Sequence, residues 1–269
     1  MRVWLLGTAG WMPTDSRETT CLATRFDETL FLFDAGTGIR RLASASLAHL
    51  TEGATDIHLF LTHYHLDHTC GLAYLSGVLP GRRLTIHAPS AELTGVEPRE
   101  TLAGLIRRPF NPRNLTDLTH VSVRPLAHDE VVAGHLVSTR AQKHSDVSVA
   151  YRVDDAFVIA TDTVADPATA TFATGVQVLF HEAWYCASEL TVARAPDAAA
   201  GYASHSEAES VAKLAACAGV RSLVLIHLNP LHDEGALESM AAAARVHFPA
   251  TLLPLDCAVV ETGSGHESL

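Results

Sequence analysis

Short apolar runs that close on polar residues recur through this chain, and their spacing predicts most of its elements. Residues 57–61 (Ile-His-Leu-Phe-Leu) read as a buried strand, as do residues 2–6, 84–88, 157–161, 176–180 and 223–226. Residues 20–26 and 30–33 pair naturally as a hairpin around Asp27-Glu28-Thr29. Further strands are expected at 120–124, 135–142 and 148–153, with strand material again at 251–260. Helices are predicted over 39–50, 70–79, 90–108, 207–217 and 234–246. Leu42, Leu47 and Leu50 are the core contacts of the first, and Pro80-Gly81 ends the second. Residues 201–205 lead into the fourth, where Ser206 and Glu209 suit a capping box. Strand pairs come first, strand–helix units follow, and the second half repeats a similar arrangement. This order predicts an α/β fold of two mixed sheets packed face to face with helices outside, a four-layer αββα sandwich. No composition break marks a linker, so residues 1–269 are expected to form a single domain.

The polar residues that end these runs are of a particular kind. Thr62-His63-Tyr64-His65-Leu66-Asp67-His68 follows the strand at 57–61 and crowds three imidazoles and a carboxylate into one loop. Such groups cost free energy when buried without partners, and a divalent metal supplies partners to imidazole and carboxylate together. His63 and His65 stand two apart and point the same way in extended geometry, whereas Asp67 and His68 follow a turn and suit a second metal beside the first. His144, Asp162 and His227 close the strands at 135–142, 157–161 and 223–226, and His205 directly precedes a helix. Each alone also reads as a hydrogen-bonded structural residue or a turn residue. Beside the His loop they cohere, because the four residues of that loop cannot enclose two metals.

Composition narrows the class. With 48% hydrophobic residues and ordinary Gly and Pro counts the chain is globular, and its net charge of -11 weakens any reading built on a broad nucleic-acid surface. Cys21, Cys70, Cys186, Cys217 and Cys257 are odd in number and form no CxxC, so they read as small buried hydrophobes. The N-terminal apolar stretch meets Gly7, Gly10 and Pro13 too soon for a signal segment, and no run reaches membrane-spanning length. A cytoplasmic protein without membrane contact is expected.

With these segments in place the chain resembles the metallo-β-lactamase superfamily, in the branch that contains ribonuclease Z and small-molecule phosphodiesterases. The likeness spans nearly the whole chain: Gly7-Thr8-Ala9-Gly10, Phe33-Asp34-Ala35-Gly36, Thr62 to His68, and His144 followed by Tyr151-Arg152-Val153. It continues through Thr161-Asp162-Thr163, His181-Glu182-Ala183-Trp184, Ser204-His205-Ser206 and His227-Leu228-Asn229-Pro230. The resemblance implies one metal on His63, His65 and His144, a second on Asp67, His68 and His227, and Asp162 bridging both. It implies zinc most often, with Mn2+ or Fe2+ also compatible with these ligands. Asp34 would fix the His loop from behind. A hydroxide shared by the metals would be the nucleophile, and two metals about 3.5–4 Å apart clamp the attacking and leaving oxygens of a displacement. His205 would act as general acid or oxyanion stabiliser with Glu182 as its orienting carboxylate, and Asp67 is counted among the catalytic residues as well as the ligands. His181 reads as structural, as do His58, His87, His120, His128 and His135 at structural or surface positions. Arg107, Arg108 and Arg113 either present guanidinium groups to a substrate phosphate or form a solvated cationic loop.

Two departures from the branch shape the expected substrate. Ribonuclease Z proper carries a long arm between the residues matching His144 and Asp162, but here a tight hairpin around Asp154-Asp155 joins them. Trp184-Tyr185 also replaces a smaller pair, which reshapes the pocket towards an aromatic or apolar group. The expected function is therefore hydrolysis of a small phosphodiester, such as a cyclic nucleotide or cyclic phosphate, with nucleic acid not the main partner. Hydrolysis of a lactone, thioester or carboxyl ester is the alternative, and a ribonuclease Z-like RNA endonuclease the second alternative. A non-enzymatic metal-binding module would show a broken ligand position, and none is found. Homodimers are common in the branch, although no stretch of this chain marks an interface.

Overall fold

The computed structural model describes residues 1–193 and 204–262. In chain order the first half supplies β1 (Arg2–Gly7), β2 (Cys21–Phe26), β3 (Thr29–Phe33), β4 (Asp56–Phe60), β5 (Leu84–Pro89) and β6 (Val121–Leu126). The second half supplies β7 (Glu130–Val132), β8 (His135–Gln142), β9 (Ser148–Val153), β10 (Phe157–Ala160), β11 (Val178–Glu182), β12 (Ser222–Ile226), β13 (Thr251–Leu252) and β14 (Val259–Glu261). One seven-stranded sheet runs β14-β1-β2-β3-β4-β5-β6 and the other β13-β12-β11-β10-β9-β8-β7. Both are mixed. Strands β3 to β6 are parallel and the β1–β2 and β2–β3 pairs antiparallel. Strands β10 to β13 are parallel, while β7 to β10 pair antiparallel.

Apolar runs without alternation mean burial on both faces, and that is how these strands sit. On β3, Leu30 and Leu32 pack outward with Ile57, Leu59 and Ile86 against the outer helices. Phe31 and Phe33 point inward with Phe60, Tyr151, Phe157 and Phe180. The second sheet repeats the division, with Val158, Leu223 and Leu225 facing its helices and Ile159, Val224 and Ile226 facing the first sheet. The expected αββα layering is the observed one.

The helices differ more. The span 39–50 is broken into 3-10 turns over Thr37–Ala43 and Ala45–Leu47 and a single helical turn over Ala48–Thr51. Ser44 takes extended backbone between them and its hydroxyl donates to Arg41 O at 2.7 Å, the local competition that Ser offers a helix. Leu42, Leu47 and Leu50 are buried all the same. The span 70–79 begins earlier, with Leu66–Thr69, so Asp67 and His68 stand on a helical turn. The span 90–108 divides at Gly95, which is left-handed. At the helix Ala208–Ala218 the capping box does not form: the N-cap is Glu207, and Ser206 Oγ instead donates to Thr163 O at 2.6 Å. Residues 201–203 of its lead-in lie outside the described residues. The strand expected at 176–180 is shifted to Val178–Glu182, and the helices Pro167–Ala173 and Ala187–Ala193 and strand β7 were not foreseen. The strand material at 251–260 splits, β13 joining one sheet and β14 the other. No helix among the described residues is long and apolar enough to cross a membrane.

Within the first sheet, His58 on β4 and His87 on β5 form a buried relay. Asp56 Oδ2 lies 3.0 Å from His58 Nε2, and His58 Nδ1 lies 2.9 Å from His87 Nε2. A proton donated to Asp56 and another donated by His87 leave His87 Nδ1 as a bare acceptor, which matches its lack of a partner among the described residues. His87 is pushed down to about 3, first by burial and then by His58 and Arg124. Between about pH 3 and pH 6.5 the unfolded chain therefore binds the extra proton, and stability falls as pH drops through that window. His87→Leu is expected to flatten this acid-side slope, by up to about 1.4 kcal/mol per pH unit. Urea midpoints at pH 7 and pH 5 for both proteins test it, and an equal loss in both would remove His87 as the cause.

Candidate metal centre

The ligand-type residues converge because their strands run the same way. Parallel pairing aligns the ends of β10, β11 and β12, so Asp162, Glu182 and His227 emerge at one edge. His144 follows β8, which is antiparallel to β9 as β9 is to β10, and so leaves at that edge too. The other sheet delivers Asp34 after β3 and His63 after β4. The two edges are tied together: Val149 N donates to Thr62 O at 2.9 Å and Tyr151 Oη to Leu61 O at 2.6 Å. Asp34, Asp162 and His227 turn away from their strands with φ of 59°, 51° and 49°. That left-handed backbone is uncommon outside glycine, and here it falls on the functional edge. Gly10 has to be glycine: a Cβ there would lie 2.4 Å from the His227 ring.

Potential ligand atoms of His63, His65, His144 and Asp162 lie within 4.8 Å of one another, and so do those of Asp67, His68 and His227. Asp162 stands between the groups with its oxygens divided. Oδ1 is 3.8 Å from His63 Nε2 and 3.4 Å from His144 Nε2. Oδ2 is 3.1 Å from His68 Nε2 and 3.3 Å from His227 Nε2. Asp67 Oδ2 completes the second group, 3.2 Å from His68 Nε2 and 3.4 Å from His227 Nε2.

Outer partners orient the imidazoles. Asp34, fully buried, holds His68 Nδ1 at 2.7 Å and accepts from Thr62 N and Oγ1. Thr62 Oγ1 in turn lies 3.0 Å from His63 Nδ1. Asp146, unforeseen from the sequence, takes His65 Nε2 at 2.9 Å, which leaves Nδ1 as the atom this ring can offer to the cluster. Burial, reinforced by His68, pushes His63 well below its ordinary value, and burial likewise lowers His144. Both shifts favour the neutral imidazole, the form that can bind a metal. Burial opposes charge on His68 and Asp162 as well, but Asp67, Asp162 and Asp34 outweigh it to raise His68, and His227 and His68 outweigh it to lower Asp162.

A second pair lies beside the cluster. Glu182, fully buried at the end of β11, accepts from Thr163 N and holds His205 Nδ1 at 2.9 Å. Burial disfavours the imidazolium of His205, yet the Glu182 carboxylate prevails and raises its pKa. Trp184 stacks on the His205 ring at 4.5 Å. His205, His144, Asp67, Asp162 and His227 line one cavity of about 300 Å³, with Trp184, Tyr185, Trp11 and Leu231. His181 is buried with its Nδ1 on Glu182 O at 2.8 Å and faces no part of this cavity, in keeping with a structural role. Arg107, Arg108 and Arg113 are exposed and do not line it; Arg107 Nε and Arg108 Nε donate to Gly104 O and Pro112 O of their own loop.

The sequence profile described as "Beta-lactamase superfamily domain" matches residues 29–228. The chain belongs to that superfamily. A ribonuclease Z of Prochlorococcus marinus (strain MIT 9303) is 27% identical, over 95% of this chain and 96% of its own length. A ribonuclease Z of Methanopyrus kandleri is 28% identical, over 93% of this chain and 94% of its own. Among solved structures, the metallo-β-lactamase fold protein YhfI of Bacillus subtilis superposes with a TM-score of 0.73 at 18% identity, covering 97% of this chain and 99% of that one. Unliganded yeast PDE1 superposes with a TM-score of 0.69 at 14% identity, covering 96% and 98%. This superfamily member is a metal-dependent hydrolase.

The residues present fit divalent metal. His63 Nε2, His68 Nε2 and Asp162 Oδ2 are buried without hydrogen-bond partners among the described residues, and each faces its neighbours across the cluster. Unpaired buried polar atoms are rare, and imidazole with carboxylate is the donor set that first-row divalent ions take. Asp146, Trp11 and Leu231 escaped sequence reasoning. Asp146 carries no local signal, since it meets His65 from 81 positions away. Trp11 follows the Gly7 to Gly10 turn, and only the fold brings it to the cavity.

Proposed function

We propose that the chain is a dinuclear phosphodiesterase acting on a small phosphodiester, such as a cyclic nucleotide or cyclic phosphate. His63, His65 and His144 would hold one ion and Asp67, His68 and His227 the other, with Asp162 between them. The imidazole-rich set favours zinc, with manganese or iron as alternatives. When bound, the ions supply Lewis-acid charge to a phosphoryl oxygen and lower the pKa of water to about 7. The remaining steps fall to side chains of the cavity. Glu182 holds the Nδ1 proton of His205, so the other ring nitrogen is the one free to donate to the leaving oxygen. Trp184, stacked on that ring, fixes its plane and keeps water from one face. This buried carboxylate–imidazole pair, beside the cluster and in the same cavity, is the observation that carries the reading.

The test is turnover of bis-p-nitrophenyl phosphate by protein loaded with zinc or manganese. Metal-dependent release of p-nitrophenol is expected. No turnover with both metals measurably bound would overturn the phosphodiester reading and move the assignment to lactones, thioesters and carboxyl esters.

A ribonuclease Z-like activity is the second reading, favoured by the names of the curated relatives. Two features weigh against it. The alignment with the Prochlorococcus protein runs over 318 positions, so that relative carries segments this 269-residue chain lacks. Only the β9–β10 hairpin lies between the end of the His144 loop and Asp162, with no basic arm. Cleavage of precursor transfer RNA in preference to small phosphodiesters would reverse the order of the two readings.

A further inference from the structure

Trp11 is placed in a way that neither packing nor the metal cluster requires. Its backbone is left-handed (φ 57°), a conformation that costs free energy for a bulky residue. It is held there from both sides of the cluster. Trp11 N donates to Asp67 Oδ2 at 2.8 Å, and Gly10 N donates to Leu228 O, next to His227, at 2.9 Å. Met12 N closes the turn on Gly10 O at 2.7 Å. The indole is thereby held at the cavity mouth, 57% exposed, rather than in the core. Of the three tryptophans, Trp4 packs against a core cluster and Trp184 is buried against His205. Leu231, 65% exposed, lines the same cavity. No Lys or Arg appears among the described lining residues.

We propose that Trp11 is a stacking platform for a flat, uncharged aromatic group of the substrate, of the nucleobase class. The proposal rests on the phosphodiester reading and narrows it: the phosphate sits at the cluster and the base against the indole. A π face anchored by its own backbone loses little freedom when a ring stacks on it, and the contact tolerates any base. A second phosphate would meet no described cation at the mouth. Trp11 touches substrate away from the reacting atoms, so it acts on binding.

The experiment measures equilibrium binding of AMP, ribose 5-phosphate and phosphocholine to the zinc-loaded protein and to its Trp11→Ala and Trp11→Phe variants. AMP is expected to bind roughly tenfold more tightly than ribose 5-phosphate. Trp11→Ala should erase that difference and Trp11→Phe retain most of it, while the backbone bond to Asp67 persists in both. In turnover of 2′,3′-cyclic AMP, Trp11→Ala should raise KM by a larger factor than it lowers kcat. Equal binding of AMP and ribose 5-phosphate to the wild-type protein would overturn the platform even where phosphodiesters are hydrolysed. Phosphocholine bound as tightly as AMP through Trp11 would overturn the uncharged aromatic class. A protein that turns over no phosphodiester at all would instead remove the reading beneath it.

Discussion

Asp162→Ala is expected to lose bound metal from both ligand groups and to abolish turnover. Among the described residues this carboxylate is the one group whose oxygens reach both sets, Oδ1 towards His63 and His144, Oδ2 towards His68 and His227. It is almost fully buried, so its removal leaves imidazoles crowded together without the negative charge that would balance a pair of dications. The loss should exceed the roughly 10- to 100-fold that removal of an outer partner brings. Asp162 also occupies left-handed backbone, which Ala tolerates poorly and Asn better. Asp162→Asn therefore keeps the local shape while removing the charge, and separates loss of metal from loss of fold. Metal content per chain after dialysis, alongside circular dichroism, is the measurement. Normal content of both metals in the Asn variant would sink the bridging assignment.

His205→Ala is expected to keep its metals and lose about 10²- to 10⁴-fold in kcat, the range a positioned acid contributes. His205 also shares close quarters with Asp162 and His227, so a ligand role is the competing account. Metal content discriminates: full content with slow turnover supports the proton donor, whereas missing metal would make His205 a ligand. An unchanged rate would remove its catalytic role. The variant leaves Glu182 buried with Thr163 N as its remaining partner among the described residues, and a stability loss of about 1–3 kcal/mol is the expected side effect. Assays well below the unfolding transition keep the two effects apart. Glu182→Gln should lower kcat less, because the imidazole remains and only its orientation and charge balance suffer.

The residues that converge on the cluster were legible in the chain because the apolar runs and the polar residues that end them are local features. Val158 to Thr161 reads as a strand wherever it is placed, and Asp162 follows it by covalent connection. The His loop needs no partner to be noticed, because chance rarely crowds such groups together. The same locality explains the failures. The helix expected at 39–50 has the right core contacts in Leu42, Leu47 and Leu50, yet Ser44 bonds its own backbone and breaks it. Ser206 and Glu209 carry the spacing of a capping box, but the helix begins at Ala208 with Glu207 as its N-cap, and the Ser206 hydroxyl donates to Thr163 O across the fold.

The sequence by itself determined the fold class, the two halves of the sandwich and the residues that meet at their shared edge, because each follows from short-range periodicity and strand ends. Only the tertiary structure decided how these residues divide their work. It set which oxygen of Asp162 faces which imidazole, gave Asp146 to His65, seated Glu182 behind His205, and turned Trp11 outward over the cavity. Each of those is a contact between residues far apart in the chain, fixed by the packing of the two sheets, and no local pattern encodes it.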